Sequence, residues 1–222
     1  MALPPPANLV STHATAHRRL PNTVADVSVE IQTEAATVAA LTKTLATRSQ
    51  MLIAYLKREG AERLTTDQVN VNTKTHTVKG GRNQIVGYSG TIAVSFRTTP
   101  EKVSDLVTGA LTQGANTLQQ VSFAPREEEI DAARQELAAE ATRTALAQAE
   151  AVTKAAGERV TGIREIVVDP ENGVRPLADS YESSRATSFA ALAKPASPPP
   201  IATASGDQEV RMTVDMRVEI AK

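Results

Sequence analysis

The C-terminal segment alternates apolar and polar residues without interruption from residue 210 to residue 220. A period of two is that of a β-strand with one dry and one wet face. The apolar positions are Val210, Met212, Val214, Met216, Val218 and Ile220, and the polar positions are Arg211, Thr213, Asp215, Arg217 and Glu219. We therefore predict a strand that pairs in a sheet or with a neighbouring subunit, and we treat it as a candidate sheet edge.

Six further segments are predicted as strands because they alternate in the same way or form short apolar runs between turn residues. By residue number they are 8–18, 25–32, 69–78, 86–97, 117–123 and 162–168. The sequence Lys79-Gly80-Gly81-Arg82 predicts a turn between the third and the fourth of them. These two strands are therefore expected to form a hairpin.

Three segments have the helical period instead. The first begins near residue 35 and ends before Gly60, and its apolar stripe is Val38, Leu41, Leu45, Leu52 and Leu56. A short helix begins at Thr99 and Pro100 and ends at Gly114, with a dry side made of Val103, Leu106, Val107 and Leu111. A long alanine-rich helix covers about 125–156 and ends at Gly157. Glycine suits the left-handed cap that closes such helices.

The order of these elements predicts an α+β fold. We expect a mostly antiparallel sheet with helices packed on one face, built as two helix-plus-hairpin halves. Residues 1–7 are expected to be a flexible leader, and residues 8–222 a single domain. A Ser/Ala/Pro-rich stretch at about 170–205 is too long for an ordinary connection and is predicted to be a mobile loop or projecting arm.

Composition excludes several classes of function. The 24 basic and 25 acidic residues balance, and aromatic residues are only 3%, so neither phosphate neutralisation nor base stacking favours a nucleic-acid partner. The chain has no cysteine, which excludes disulfides and thiolate metal sites. It has no apolar run near 18 residues, so we expect no transmembrane helix. Its first ten residues have neither a basic start nor an apolar core, so we expect no secretory signal within them.

The stretch IVGYSGT, residues 85–91, resembles the nucleophile elbow of serine hydrolases except that Thr91 replaces the last glycine. An elbow requires a sharp turn at the serine, whereas the strand alternation here passes through Ser89 unbroken. All three histidines precede Ser89, contrary to the hydrolase order. We therefore predict a strand serine, with Gly87 and Gly90 marking a bulge or a close helix approach. Another chain order could still build a triad, because triads are defined by geometry.

Three other patterns have structural explanations that we prefer to chemical ones. His13 and His17 are predicted to lie on a strand, where four residues separate side chains by about 13 Å, too far for one metal ion. The acidic residues 127–129 and Asp131 suit the start of a helix better than a cation site. Gly80 and Gly81 begin a strand and not the helix of a phosphate loop. We accordingly predict no catalytic, cofactor-binding or metal-binding residues and no cofactor.

The methionines of the last strand have two interpretations. Met212 and Met216 are predicted to fill the core, although on an exposed edge they could recruit a partner strand.

Several short blocks together resemble the SIMPL domain family, formerly a domain of unknown function, from Asn8 to Ile220. They are PNTVADVSVEIQTEA at 21–35, IVGY at 85–88, GAN at 114–116, VSF at 121–123 and the alanine-rich helix containing Ala133 and Arg134. Each block is weakly specific by itself, and their order and spacing carry the resemblance. No catalytic residues are established for the family, so the resemblance assigns none here.

The resemblance implies a bacterial envelope protein, periplasmic or associated with the outer membrane. Relatives are linked to oxidative-stress defence or known as surface antigens, some assemble into large rings, and a mammalian relative is an adaptor in kinase signalling. We therefore expect a non-enzymatic, self-assembling homo-oligomer with possible envelope protein partners. The alternatives are an adaptor that uses an exposed sheet edge or the arm at 174–204, and lastly a serine hydrolase that uses Ser89.

Overall fold

The computed structural model describes residues 8–78, 82–169, 175–176 and 206–222. Its elements in chain order are β1 (Leu9–Pro21), β2 (Val24–Ala35), α1 (Val38–Arg58), β3 (Glu62–Val78), β4 (Arg82–Thr98), a 3-10 turn (Pro100–Lys102), α2 (Val103–Thr112), β5 (Thr117–Ala124), α3 (Glu127–Ala155), β6 (Arg159–Asp169), β7 (Arg175–Pro176) and β8 (Asp207–Ala221). Every strand pair is antiparallel. The predicted α+β class is confirmed, with the strands divided between two sheets.

The described chain forms two compact units. Unit 1 is built from both ends of the chain and contains residues 8–21, 125–169, 175–176 and 206–222. Unit 2 contains residues 22–78 and 82–124. Each unit has its own four-stranded sheet and its own helices. Whether residues 8–222 behave as a single domain, as predicted, stays a prediction.

In unit 1 the C-terminal strand is central and not an edge. The sheet order is β1-β8-β6, with β7 also pairing with β8, so β8 has a strand on both sides. Val214 of β8, for example, lies opposite Ala14 of β1 and Val168 of β6. The interpretation of β8 as a candidate edge was therefore wrong. Its regular alternation instead reflects a central strand with α3 on one face.

Helix α3 lies close to this sheet because its buried side chains are small. Every fourth residue faces the sheet, and the buried set is Ala133, Leu137, Ala141, Ala145, Ala149 and Thr153. The four from Leu137 to Ala149 pack against Ala14 and Ala16 of β1 and against the even-numbered residues of β8 from Val210 to Val218. Met212 and Met216 belong to this core, which confirms their predicted role as core filling.

In unit 2 the sheet order is β3-β4-β2-β5, and α1 and α2 pack on one face of it. The predicted stripe of α1 is confirmed for its four leucines, Leu41, Leu45, Leu52 and Leu56, all of which are buried. Val38 begins the helix but is 44% exposed, and Leu111 of α2 is 42% exposed. Both were predicted on dry faces. Each lies near an end of its helix, where the sheet no longer covers the stripe.

The two glycines that flank Ser89 have the structural roles that the sequence predicted. A Cβ on Gly90 would lie 2.7 Å from Leu45 Cδ1 and 3.2 Å from Leu41 Cδ2, so the side chains of α1 occupy the space that a side chain at position 90 would need. Gly87 lies at a register shift, because Lys74 pairs with Gly87 and Thr75 with Ile85. One glycine therefore marks a helix contact and the other a β-bulge.

Three sequence predictions concern residues outside the described part of the chain. They are the leader at 1–7, the turn at 79–81 and most of the loop at about 170–205. The hairpin itself is confirmed, because β3 and β4 are paired as far as Val78 and Arg82.

Candidate functional site

Strand β3 forms an edge of the unit 2 sheet and is the longest candidate for an interaction surface. Among the described strands it pairs with β4 alone, so its outer backbone groups have no partner strand. Residues 68–73, with the sequence QVNVNT, have no charged side chain, and Asp67 and Lys74 stand at the two ends of this segment. Native sheets usually protect such edges with charge, proline or a covering element. We call residues 68–73 the β3 edge segment.

The helix-side face of the β3 edge segment is apolar and exposed. Val69 is 61% exposed and Val71 is 44% exposed, although their opposite residues on β4, Ile92 and Gly90, are buried. Helix α1 packs mainly on β2 and β4 and leaves a groove of about 350 Å³ beside β3. The groove is lined by Thr42, Leu45, Ala46, Ser49, Thr66, Val69, Val71 and Ile92. This surface can take up an apolar partner.

The charged residues that flank the segment are held in place on the sheet. Asp67 accepts hydrogen bonds from Ser95 and from Thr65, the latter at 2.8 Å. These bonds stabilise the ionised carboxylate and lower the pKa of Asp67 below its ordinary value. At the other end, Lys74 Nζ lies 2.6 Å from Glu34 Oε2. The β3 edge segment is therefore flanked by a carboxylate at one end and by an ammonium that is paired with Glu34 at the other.

Beyond the segment, β3 and β4 continue as a two-stranded ribbon. The last pairing of β2 with β4 joins Ala35 to Tyr88, and from there to Arg82 β4 pairs with β3 alone. Ile85 is 55% exposed and Val86 is 58% exposed. Two strands alone are marginally stable in water, so such a ribbon favours a partner.

Ser89 lies in the middle of β4, opposite Glu34 of β2 and Asn72 of β3. No turn occurs at this position, since β4 runs uninterrupted from Arg82 to Thr98. His76, the histidine of the same unit, lies opposite Gln84, which is five residues from Ser89 along β4, or about 17 Å. The geometry therefore gives Ser89 a strand position without a neighbouring histidine in the described part of unit 2.

The unit 1 sheet presents a second concavity on the face opposite α3, with a volume of about 420 Å³. Ser11, His13 and Asp215 line it, a combination that the sequence analysis did not consider. His13 lies opposite Asp215 in the ladder, and all three residues are exposed. No hydrogen bond links them within the described residues, and a working triad needs such bonds and a shielded acid. The arrangement lacks the geometry of a nucleophilic site.

The other residues weighed as metal or cation ligands lie on regular secondary structure. His17 lies opposite Arg211, four residues from His13 on the same strand. The acidic run begins α3, where Glu129 Oε2 accepts a hydrogen bond from the backbone N–H of Arg126 at 2.9 Å. The described residues contain no group of three or more His, Cys, Asp or Glu that could hold a metal ion. No helix in the described ranges is long and apolar enough to cross a membrane.

A family model described as SIMPL, protein of unknown function (DUF541), matches residues 10–218. The chain belongs to the SIMPL family. A search of curated proteins found no significant match. The SIMPL match extends over the described residues of both units, from β1 to β8.

Within this SIMPL chain, the GAN block has a clear structural role. Asn116 donates a side-chain hydrogen bond to Gln32 O at 2.7 Å and accepts one from Gln32 N at 2.8 Å. The side chain thereby continues the ladder at the point where β5 begins beside β2. The block therefore protects one edge of the unit 2 sheet, whereas β3, at the opposite edge, has no comparable cover among the described residues.

Proposed function

We propose that this SIMPL chain is a non-enzymatic, self-assembling protein of the cell envelope that supports envelope integrity or resistance to oxidative stress. The single observation that supports assembly is the β3 edge, where Val69 and Val71 are exposed on a strand that has no outer partner in the part of the chain that the structure describes. Exposed apolar surface beside an unpaired strand is typical of a site that pairs with another chain.

The envelope location and the stress role come from the family resemblance. SIMPL relatives are mostly exported proteins, periplasmic or associated with the outer membrane. The balanced charge of the chain is compatible with a partner that is another protein and not a polyanion. Possible envelope protein partners are therefore part of the proposal, together with a second copy of the chain.

The experiment that tests assembly is the native mass of the purified chain by light scattering after size exclusion, at two concentrations differing at least tenfold. We expect a multiple of the 23.5 kDa chain mass that persists on dilution. A mass equal to one chain at both concentrations would remove self-assembly from the proposal.

An adaptor or binding module is the second candidate, because the same uncovered edge could accept a strand from a different protein. The arm at 174–204, of which the structure describes only residues 175–176, is the other contact that the sequence suggests. Pull-downs from envelope extracts, with the full chain and with residues 174–204 deleted, test the contribution of the arm to binding. If both forms capture the same proteins, the arm has no part in binding.

A hydrolase that uses Ser89 is the last candidate, and its test is simple. The position of Ser89 within an unbroken strand favours a structural role. We expect Ser89→Ala to leave any esterase activity of the purified protein unchanged. A loss of activity on substitution, with the fold intact by circular dichroism, would favour the hydrolase.

A further inference from the structure

We infer that the β3 edge segment pairs antiparallel with the same segment of a second copy, with Asn70 opposite Asn70 of the copy. This inference rests on the proposed self-assembly and names the surface that would carry it. It follows from three properties of the segment: a backbone edge with no partner among the described strands, a self-complementary sequence and flanking residues of opposite charge.

The outer edge of β3, which no described strand covers, makes pairing with another strand chemically favourable. Alternate residues of an edge strand direct their N–H and C=O groups away from the sheet, where a new strand can bond to them. The β3 edge segment contains no proline and no charged side chain that would prevent this approach. By contrast, β6, an edge of the unit 1 sheet, has Arg164 and Glu165 at its middle, each tied to β8 by an ion pair.

The sequence of the segment is complementary to itself when it is read in the opposite direction. With Asn70 at the two-fold axis, Val69 lies opposite Val71 of the copy, and Val71 opposite Val69. These side chains share the helix-side face with the buried Ile92 and Val94. On the other face, Gln68 lies opposite Asn72 of the copy, and Asn70 lies opposite Asn70 of the copy. Valine therefore meets valine, and amide meets amide, as in stable cross-strand pairs.

The pairing covers surface that is otherwise exposed to water. Val69 and Val71 of both copies would form a continuous apolar cluster beside the groove that α1 borders. A foreign strand would need the same alternation to match this face, whereas a second copy supplies it by symmetry. For this reason we assign the edge to a second copy of the chain.

Charge selects the antiparallel direction. In that direction the negative end of one segment, at Asp67, lies beside the positive end of the other, at Lys74, and this contact occurs twice. Asp67 remains able to accept such a contact, because its two hydroxyl partners use two of the roughly four acceptor positions of a carboxylate. Lys74 is paired with Glu34, which uses one of the three donor positions of its ammonium group and leaves two for Asp67 of the copy. In a parallel arrangement, Asp67 would lie near Asp67 and Lys74 near Lys74. Exposed ion pairs contribute little affinity, so their effect is on direction and register.

Cysteine cross-linking tests the pairing directly, because the chain has no cysteine of its own. Directly opposite residues of an antiparallel pair have Cα atoms about 4.5–5.5 Å apart, which suits a disulfide. We expect Asn70→Cys to form a covalent dimer on mild oxidation, seen on a non-reducing gel and reversed by a reductant. The matched control is Asn72→Cys, whose two copies would lie about 13 Å apart and should stay uncross-linked.

A charge variant provides the second measurement. Asn70 is exposed, so Asn70→Lys should fold normally while it places two like charges opposite each other at the axis. We expect the β3-paired dimer to dissociate at least tenfold more readily on dilution in light scattering. The control is Gln50→Lys, an equally charged substitution at an exposed position of α1 outside the groove, which should leave the mass unchanged.

The outcomes separate this inference from the proposed function. If the unmodified chain is oligomeric but Asn70→Cys cross-links no better than Asn72→Cys, assembly uses another surface and the inference is wrong while the proposal stands. If the chain is a monomer at every concentration, both are wrong. Efficient cross-linking at residue 70 alone, together with dissociation by Asn70→Lys, supports both.

Discussion

The substitution Gly90→Ala provides a sharp test of how closely α1 packs on the unit 2 sheet. The added Cβ would lie 2.7 Å from Leu45 Cδ1, 3.2 Å from Leu41 Cδ2 and 3.3 Å from the backbone oxygen of Asn70. Favourable carbon–carbon contacts are about 3.5–4.0 Å long, so the nearest contact is too short by roughly 1 Å. Leu45 is 3% exposed and Leu41 is fully buried, so neither side chain can move into solvent.

The expected cost follows from this geometry. Adding a methyl group to a packed core costs about 1–3 kcal/mol of unfolding free energy. Replacing glycine by alanine also restricts the unfolded chain, which returns about 0.4–1 kcal/mol. We therefore expect Gly90→Ala to destabilise the protein by about 1–2 kcal/mol. With a typical urea dependence of about 2 kcal/mol per molar, the unfolding midpoint should fall by roughly 0.5–1 M.

The assay is urea unfolding followed by circular dichroism, at one protein concentration for all variants because association would add its own stability. Gly162→Ala is the matched control, since the nearest atom to its added Cβ is Glu219 Oε2 at 4.0 Å, and its midpoint should stay or rise. In a Leu45→Ala background, the loss of unfolding free energy caused by Gly90→Ala should be less than half of the loss in the otherwise unsubstituted protein, because the closest clash is gone. An equal cost in both backgrounds would refute the argument from packing.

Three further predictions concern side chains elsewhere in unit 2. Asn116→Ala should lower the unfolding free energy by about 0.5–1.5 kcal/mol per lost hydrogen bond to Gln32, measured by urea unfolding against Asn116→Asp, which keeps only the acceptor. Ser95→Ala should raise the pKa of Asp67 towards its ordinary value in a carboxyl NMR titration, because the hydrogen bond from Ser95 is the main cause of the lowered pKa. The lowered folded-state pKa also means that the stability contributed by the ionised carboxylate is lost as pH falls through that pKa. Burial raises the pKa of Tyr55, so its neutral form is favoured in the folded state. The free energy of unfolding should therefore fall as pH rises beyond about 10, and this fall should be smaller in Tyr55→Phe.

The local elements could be predicted from the sequence because their causes are local. The leucine stripe of α1, the acidic start of α3 and the glycines after both helices each act within a few residues. Gly60 and Gly157 indeed have positive φ angles of 78° and 75° where each helix ends. Such patterns establish helix or strand and the approximate bounds, as the confirmed α+β class shows.

The partners of the strands could not be predicted in the same way. The alternation in β8 indicates one dry face, but it contains no information on which strands lie beside it. Its neighbour β1 comes from the other end of the chain, where Leu9 lies opposite Glu219. A period of two is the same for a central strand and for an edge strand with one covered face. For this reason the sequence led to an edge for β8 and to one sheet in place of two.

The candidate surface was missed for a related reason, and its sequence signal can be stated. The valines of β3 alternate like core residues, and only the position of α1 over β2 and β4 leaves Val69 and Val71 exposed. What distinguishes the β3 edge segment is the run of six uncharged residues between Asp67 and Lys74. A strand with water on its outer edge normally carries charges that prevent association. Here those charges stand only at the two ends of the segment and have opposite signs, which favours an antiparallel contact between identical segments over a parallel one.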